Sequence, residues 1–502
     1  MTENQQDSLS FSSRRSFVGG LIALAVVVCA ACLFRIGALH GAGAVAILLL
    51  PILVGLWIIF ARNLWWTILP VACSFGGILY FGFRINTHEL ALVLAILALL
   101  PLIVAPHART RQRPPAPLSI YILLAYVTVH LCVSWYICHR SGAGGMGNVL
   151  RVYAYSLWPL VFAILFFKHG TTTHIKYVLI VMYLACLARV VLGLLAYLNP
   201  QTLFYVPLVN YIPSGSLTAG MDLRASTLLL ITLSLCHVSI SKSPVARLFH
   251  LAMLVPSAYL LLLGGGRISL VAFCGTIMLW ALMQRRFLLL GATVVSVLAL
   301  AIALNQDSSL LYRINDQRVQ RVLSSLVLQT PTNDLHQKLV TGSDEWHYEL
   351  MRLGLKRWTA SPLTLATGNP VDHYDESFAG AWASQRNRAD IATRMGSYES
   401  GLWTVLAITG AVGAILYVLA FVNLLKGMLP DLWRRGVRDH AGVFAFLAVC
   451  STFLWLGLCW IYGHFPSQEL MWAVIAKVAY YDMRGSPEPP APQVPESATD
   501  IS

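Results

Sequence analysis

The chain has 502 residues, of which 57% are hydrophobic and only 11% are charged. Soluble domains carry roughly 25% charged residues, so this composition excludes an assembly of ordinary soluble domains. The net charge of +13 does not indicate a nucleic-acid partner, because the lysines and arginines lie in short clusters at the ends of apolar blocks, where they act as membrane-topology signals.

Apolar blocks of about 20 residues recur along the chain, and this is the length that crosses a hydrocarbon core of about 30 Å. The blocks predict helices near residues 16–35, 41–61, 63–82, 88–105, 118–138, 151–168, 177–197, 224–240, 248–264, 268–283, 287–304, 400–424, 441–462 and 467–481. The predicted fold class is therefore all-α, a polytopic integral membrane protein with about 12–14 transmembrane helices.

Basic clusters occupy alternate connections between these helices, and the positive-inside rule assigns such connections to the cytoplasm. Both termini are then cytoplasmic. The predicted organisation is a cytoplasmic tail at 1–15, helices one to eleven within 16–304, a large outer loop at 305–396, helices twelve to fourteen within 397–482, and a disordered cytoplasmic tail at 483–502.

The outer loop is too long and too polar to be a simple linker between neighbouring helices. Four large apolar residues recur in it at helical spacing: Trp346, Leu350, Leu353 and Trp358. This spacing predicts an ordered helix, and hence a cap over the membrane region. The alternative is an insertion without a function of its own.

Three arginines, Arg151, Arg224 and Arg267, each open a predicted helix from its outer side. A guanidinium group suits a diphosphate, and a helix N-terminus adds its own positive field, so the three ends together would form an anion site. The alternative is that each long side chain extends to the lipid headgroups.

Arg189 lies about 12 residues into its helix, roughly 18 Å from the inner surface. Charge at that depth usually faces a cavity or a partner, so Arg189 is a candidate for the same diphosphate site, and a structural pair with another residue is the alternative. Lys477, nearer the inner end of its helix, is expected to extend to the surface.

If a group is transferred from a diphosphate at this site to a hydroxyl acceptor, the reaction needs a base, and the clearest candidates are Glu399 and His373. Glu399 is an acid at a membrane boundary and a helix start, and the usual pKa of histidine suits proton transfer near neutrality. A solvated surface role is the alternative for both. His88 and Glu89 form a second outer pair, which helix-start chemistry would also explain. The sequence contains no phosphate-binding loop, dinucleotide fingerprint or zinc motif, so we predict neither a metal nor a cofactor.

Several short motifs together resemble the bacterial O-antigen ligase and O-antigen polymerase superfamily. They are Gly266-Arg267-Ile268-Ser269, Arg224, Arg352, Arg357-Trp358, Ser361-Pro362-Leu363, Gly368, the pair Gly410 and Gly413, and the early run from Phe83 to Leu90. The family commonly has His-Asn just before the helix after the loop. This chain has Ser397-Tyr398-Glu399 there, which favours a polymerase or a divergent exopolysaccharide enzyme over a ligase.

The resemblance implies a metal-independent membrane glycosyltransferase of the bacterial cytoplasmic (inner) membrane. Such an enzyme transfers glycan from an undecaprenyl-diphosphate carrier to an acceptor sugar hydroxyl at the periplasmic face, in O-antigen, lipopolysaccharide or exopolysaccharide biosynthesis. Its expected partners are the carrier-linked glycan, an acceptor glycan or lipid, membrane lipid and other polysaccharide assembly proteins. The resemblance adds Arg352 to the predicted diphosphate-binding residues, and Glu399, His373 and Arg267 are the predicted catalytic residues. Two alternatives stay open, a transporter or flippase for lipid-linked glycan and a non-catalytic assembly subunit.

Overall fold

The structure is a computed structural model of the chain. It describes residues 67, 71, 73, 78–80, 84–104, 114–140, 146–198, 223–263, 267–307, 309–314, 316–327, 334–371, 385–394, 396, 398–458 and 465–484. The predicted helices near 16–35 and 41–61, the tail at 1–15 and residues 485–502 of the second tail lie outside the described residues.

The described elements are helices apart from one short hairpin. In the membrane region they are α1 (Thr87–Val104), α2 (Leu118–Arg140), α3 (Met146–His169), α4 (Thr172–Leu198), α5 (Leu223–Ile240), α6 (Pro244–Leu263), α7 (Arg267–Met283) and α8 (Phe287–Gln306). The predicted outer loop contains α9 (Ser309–Tyr312), α10 (Gln317–Leu323), a 3₁₀ turn (Ser324–Leu326), α11 (Asp334–Trp358), α12 (Pro362–Thr367) and α13 (Gln385–Arg394). The chain then returns through α14 (Gly401–Leu425), α15 (Met428–Arg435), α16 (His440–Val449, continued by a π-helical segment, Cys450–Leu458) and α17 (Ser467–Arg484).

Seven of the described helices are long and apolar enough to cross a membrane, namely α2, α3, α4, α6, α8, α14 and α16 with its π-helical extension. Three shorter apolar helices, α1, α5 and α7, accompany them. The protein is therefore an all-α, multi-pass membrane protein, as its composition predicts. Every helix predicted from residue 88 onward has a counterpart in the structure.

The structure differs from the prediction at the end of the helix expected over 63–82. Ile78–Tyr80 form a strand, β1, which pairs in antiparallel register with β2 (Arg84–Asn86), with Leu79 opposite Ile85. A short apolar run is compatible with either a helix or a strand. The β-branched and aromatic residues favour the strand, and the glycines that flank β1, Gly77 and Gly82, disfavour a continuous helix.

The ordered helix predicted in the outer loop is confirmed by α11, which packs against α13 and against α14. We call α11, α12 and α13 the cap helices. We call the end of the bundle at which α3, α14 and α17 begin the loop end, and the end at which they finish the basic end.

Helix α17 lies at the centre of the bundle, because every residue from Ser467 to Ala479 is buried. It packs against α3, α4, α14 and α16. Lys477 is only 6% exposed, and its Nζ donates a hydrogen bond to the carbonyl oxygen of Lys426 at 2.6 Å, at the C-terminus of α14. The expectation that Lys477 extends to the surface is therefore wrong, since the negative end of a neighbouring helix binds the cation inside the protein.

Candidate functional site

Arg151 and Glu89 meet where α3 and α1 begin, with Arg151 Nε 3.3 Å from Glu89 Oε1. The other oxygen, Glu89 Oε2, accepts a hydrogen bond from the backbone nitrogen of Asn86 at 2.6 Å. This second bond is helix-start chemistry, because a glutamate in the first turn satisfies a free N–H group there. Glu89 therefore has a structural role, and through it Arg151 is held at the loop end.

His88 is buried beside this pair. Trp158 Nε1 donates a hydrogen bond to His88 Nδ1 at 3.1 Å, and the ring of Tyr155 lies 4.0 Å from the His88 ring, centre to centre. Since Nδ1 accepts a hydrogen bond, it carries no proton, and the His88 imidazole is neutral.

Arg189 reaches the start of the neighbouring helix α5. Its Nη1 donates a hydrogen bond to Ser226 Oγ at 3.1 Å, and Ser226 lies in the first turn of α5, two residues after Arg224. Helix α5 also packs against α7, whose first residue is Arg267. The structure thus brings Arg189 to the helix end that carries Arg224. The side chains of Arg224 and Arg267 lie outside what the structure describes.

Helix α14 is broken at Gly410, whose backbone has φ 67° and ψ −170°. The break diverts carbonyl groups from their usual partners within the helix. The Ala407 oxygen accepts a hydrogen bond from the backbone nitrogen of Asn369 at 2.8 Å, and the Thr409 oxygen accepts one from the Tyr126 hydroxyl at 2.8 Å. Non-helical backbone at membrane depth is tolerated only when other protein groups satisfy it, and here the loop and α2 do so.

The loop fits into this break by a close approach of two glycines. A Cβ at Gly368 would overlap the carbonyl group of Ile408, and a Cβ at Gly410 would overlap the backbone of Ala366. Both glycines have positive φ values, which side chains rarely adopt. Two motifs separated by some 40 residues in the sequence are therefore in backbone contact.

The Ser-Pro-Leu motif that precedes Gly368 starts a helix. The Ser361 side chain accepts a hydrogen bond from the Thr364 backbone nitrogen at 3.1 Å, the Thr364 hydroxyl accepts one from the Ser361 nitrogen at 2.9 Å, and Pro362 follows the cap. This reciprocal capping box, with proline in the first turn, fixes where α12 begins. The motif thus has a folding role.

Arg357, at the end of α11, contacts three other segments of the loop region. The sequence did not indicate it as a site residue. Its Nη2 donates to Asp390 Oδ1 of α13 at 3.0 Å, its side chain hydrogen-bonds Tyr398, and its carbonyl oxygen accepts a hydrogen bond from Asn369 Nδ2 at 2.9 Å. Burial raises the pKa of Tyr398, and the charge and hydrogen bond of Arg357 partly oppose this rise. Arg357 therefore connects the outermost helix to the segment that fills the break in α14.

Glu399, a predicted catalytic residue, lies at the surface of the loop end just before α14. Its Oε2 is 3.5 Å from Nδ1 of His347, and the two side chains are 44% and 56% exposed. The Glu399 backbone has φ 50°, an uncommon conformation for a residue other than glycine. Strained residues of this kind cluster at functional sites, so the geometry keeps Glu399 as a candidate.

Arg352, predicted to bind diphosphate, is paired within its own helix. Its Nε and Nη2 donate to the two carboxylate oxygens of Glu349 at 2.8 and 2.6 Å. The hydrogen bonds that the Glu349 carboxylate accepts, together with its negative charge, raise the pKa of Arg352. A diphosphate would have to displace this two-fold contact, so Arg352 is a weaker candidate than Arg189.

A buried polar group at the loop end was missed by the sequence reasoning. Glu469, in the first turn of α17, is completely buried, and Tyr417 of α14, with which it interacts electrostatically, is buried as well. The available signal was an acidic residue inside a predicted span, since charge in a membrane helix is rare and usually functional.

The predicted site residues thus fall into two described regions. Arg189 and the start of α5 form one, and Arg151, Glu399 and Arg352 belong to the loop end. Gly396 connects the start of α3 to the residues before α14, because a Cβ there would lie 3.2 Å from Val152 Cγ1. His373 lies outside the described residues. In the part of the chain that the structure describes, no group of three or more His, Cys, Asp or Glu residues is arranged to hold a metal ion.

The chain matches no model of a known protein family, and it matches no curated protein.

Proposed function

We propose that this protein transfers glycan from an undecaprenyl-diphosphate carrier to a sugar hydroxyl at the periplasmic face of the bacterial inner membrane, as a polymerase or a ligase. The observation that carries the proposal is the hydrogen bond of Arg189 to Ser226 at the start of α5. Placing a guanidinium inside a membrane helix costs free energy, so we expect a bound group to compensate for this cost at the helix N-terminus that Arg189 contacts. An anionic group of a lipid-borne substrate is such a group.

The chemistry follows from this arrangement. The acceptor oxygen attacks the anomeric carbon of the donor sugar, the bond from that carbon to the phosphate oxygen breaks, and the diphosphate leaves on the carrier with the electron pair. Arg189, Arg224 and Arg267 would stabilise the negative charge that develops on the leaving group. Loss of one such donor typically lowers the rate by about 10² to 10³.

The acceptor side of the reaction is placed at the loop end in this proposal. Glu399 and His347 are exposed there and lie close enough to bind an acceptor hydroxyl and take its proton. Arg151 is held nearby by Glu89 through its Nε, and its guanidinium has further N–H donors that could bind an anionic sugar or phosphate. His373 stays a predicted catalytic residue.

A transporter for lipid-linked glycan is the second candidate, and the break in α14 at Gly410 favours it. Discontinuous membrane helices are typical of transporters, where they line the substrate site. Here, however, Asn369 and Tyr126 bind two of the diverted carbonyl groups, and the Gly368 backbone packs against the break. A filled break supports a fixed scaffold better than a pathway.

The test is to incubate the purified protein in nanodiscs with synthetic undecaprenyl-diphosphate oligosaccharide and to measure product size. A ladder of products identifies a polymerase, and a single addition to another lipid or glycan identifies a ligase. We expect R189Q, R224Q and R267Q each to lower the initial rate by about 10² to 10³. Arg189→Lys should recover little activity, since an ammonium group lacks the fork that binds a diphosphate at two points.

The matched control is R140Q, which removes an exposed arginine at the loop end of α2 and should leave the rate unchanged. Full activity in all three site variants would overturn the proposal. Unchanged oligosaccharide that crosses the bilayer of a proteoliposome would instead establish the transporter.

A further inference from the structure

Two connections at the basic end are in contact, the turn between α7 and α8 and the turn between α15 and α16. Gln284 Nε2 donates a hydrogen bond to the Val437 carbonyl oxygen at 3.1 Å, across 153 positions of the sequence. A Cβ at Gly436 would lie only 2.9 Å from the Met283 oxygen, so the backbones approach closely. The two turns carry four exposed arginines, which we call the arginine patch: Arg285, Arg286, Arg434 and Arg438. The fold therefore joins two basic clusters into one surface.

The arginine patch carries positive charge that the described part of the chain does not neutralise. None of its four members forms an ion pair with another described residue. The carboxylates of this segment, Asp431 and Asp439, are occupied by other cations. Arg484 contacts both of them, and Arg435 Nε lies 3.0 Å from Asp431 Oδ1. A surface of this kind attracts an anionic ligand.

Arg285 occupies a position at which glycine is the usual residue. Helix α7 ends in a Schellman motif, in which the Arg286 nitrogen donates to the Ala281 oxygen at 2.8 Å and the Arg285 nitrogen donates to the Leu282 oxygen at 3.0 Å. Arg285 has φ 55° there, in the left-handed region that favours glycine. An arginine at this position is unfavourable for the backbone, so we expect its side chain to have a use.

Arg286 is held in place by an aromatic ring. Its Cζ lies 4.9 Å from the centre of the Trp280 ring, and Trp280 is itself buried and donates a hydrogen bond from Nε1 to Ser239 Oγ at 3.1 Å. A cation that lies over a ring face keeps its N–H groups available, because the ring accepts no conventional hydrogen bond from them. The Arg286 guanidinium is therefore oriented and can still bind an anion.

The exposed apolar residues beside the patch place it at the boundary of the hydrocarbon core. Helix α8 begins directly after Arg286, and its second residue, Leu288, is 93% exposed although α8 is apolar enough to cross a membrane. On the other side of the patch, α15 buries Met428 and Leu432. It exposes Leu429 and Trp433, which share a second face because they are four positions apart. Exposed tryptophan next to arginine is typical of the headgroup level.

We propose that the arginine patch binds the phosphate of an anionic glycerophospholipid from the leaflet at the basic end, with the acyl chains beside the start of α8. A guanidinium suits a phosphate because its N–H groups match two phosphate oxygens at once. A lipid with a net negative charge is favoured over a zwitterionic one, because the patch has no carboxylate left for a positively charged headgroup. An acidic soluble protein fits less well, since Leu288 and Leu429 would have to leave the hydrocarbon. This inference does not rest on the proposed function.

The experiment is native mass spectrometry of the full chain in detergent, titrated with phosphatidylglycerol or with phosphatidylcholine of the same acyl chains. The wild type should bind phosphatidylglycerol more tightly. R434Q and R438Q should each weaken phosphatidylglycerol binding about fivefold and leave phosphatidylcholine binding unchanged. The control K356Q removes one exposed positive charge from cap helix α11, and it should leave both affinities unchanged.

The most informative variant is R285G, because glycine suits the left-handed backbone at this position. Its Tm in phosphatidylcholine nanodiscs should equal or exceed that of the wild type, while its affinity for phosphatidylglycerol should fall about fivefold. Equal binding of the two lipids by the wild type would overturn the lipid site. So would R285G, R434Q and R438Q variants with the wild-type affinity for phosphatidylglycerol, which would leave the arginines as topology signals alone. Either result would leave the proposed glycan transfer untouched.

Discussion

The contact between Gly368 and Gly410 can be tested by one methyl group. Gly410 has φ 67° and ψ −170°, a backbone conformation that is almost confined to glycine. In Gly410→Ala the new Cβ would also overlap the backbone of Ala366, which is not a flexible side chain. The alanine must therefore either strain the helix or push the loop segment out of the break.

The expected cost is about 1–3 kcal/mol for the backbone strain and about 1–3 kcal/mol for the overlap, together about 2–6 kcal/mol. The docked state of the loop segment is destabilised by this amount relative to the open state. Since 1.4 kcal/mol is a factor of ten, the segment should open at least about 30-fold more often.

The assay is amide hydrogen exchange by mass spectrometry in nanodiscs, read on the peptide that contains Asn369. The Asn369 N–H group is bonded to the Ala407 oxygen at 2.8 Å, so it exchanges only when the segment opens. The control is Gly291→Ala in α8, where a Cβ would meet nothing within 4 Å, and exchange at Asn369 should not change. Unchanged exchange in Gly410→Ala would refute the docking of the loop into α14.

Three further predictions concern polar contacts between elements of the fold. Lys477→Met removes the hydrogen-bond donor to the Lys426 oxygen and should lower the free energy of unfolding by about 1–3 kcal/mol, measured as a lower Tm. Lys168→Met, at an exposed position, should leave the Tm unchanged. Arg357→Gln should speed proteolytic cleavage within 385–394, because α13 loses its ion pair with α11. Arg394→Gln, which removes a more exposed partner of the same Asp390, should have a small effect. Equal cleavage rates for the two variants would contradict this assignment. Trp158→Phe removes the hydrogen-bond donor to His88 Nδ1 and should lower the free energy of unfolding by about 1–3 kcal/mol. Trp433→Phe, at an exposed position, is the control. Equal Tm values for the two variants would show that the hydrogen bond contributes nothing to stability.

The sequence was sufficient to predict the helical fold and most of its spans. Apolar length is visible directly, so the helix expected near 118–138 matches Leu118–Arg140, and the one expected near 287–304 matches Phe287–Gln306. The strand at Ile78–Tyr80 was not predictable in the same way, because an apolar run between glycines does not show whether it pairs with a second strand.

The candidate site was only partly predictable. Arg189 stood out because a charge in an apolar block is conspicuous, and the structure gives it a helix start as partner. Arg357 was visible as a motif residue, but its partners Asp390 and Tyr398 lie more than 30 positions further along the chain and adjoin it only after folding. Glu469 was overlooked because its helix is less apolar than the others, and its burial depends on helices that precede it in the chain.

The central position of α17 has a consequence for how the protein is made. This helix contains Glu469 and Lys477, so it is a poor candidate to enter lipid by its own hydrophobicity. It is also synthesised after the helices that enclose it. Its insertion therefore depends on the helices that are already assembled around its position. A chain that stops before Ser467 would leave the faces of those helices that contact α17 uncovered, which would expose the incomplete protein to membrane quality-control proteases.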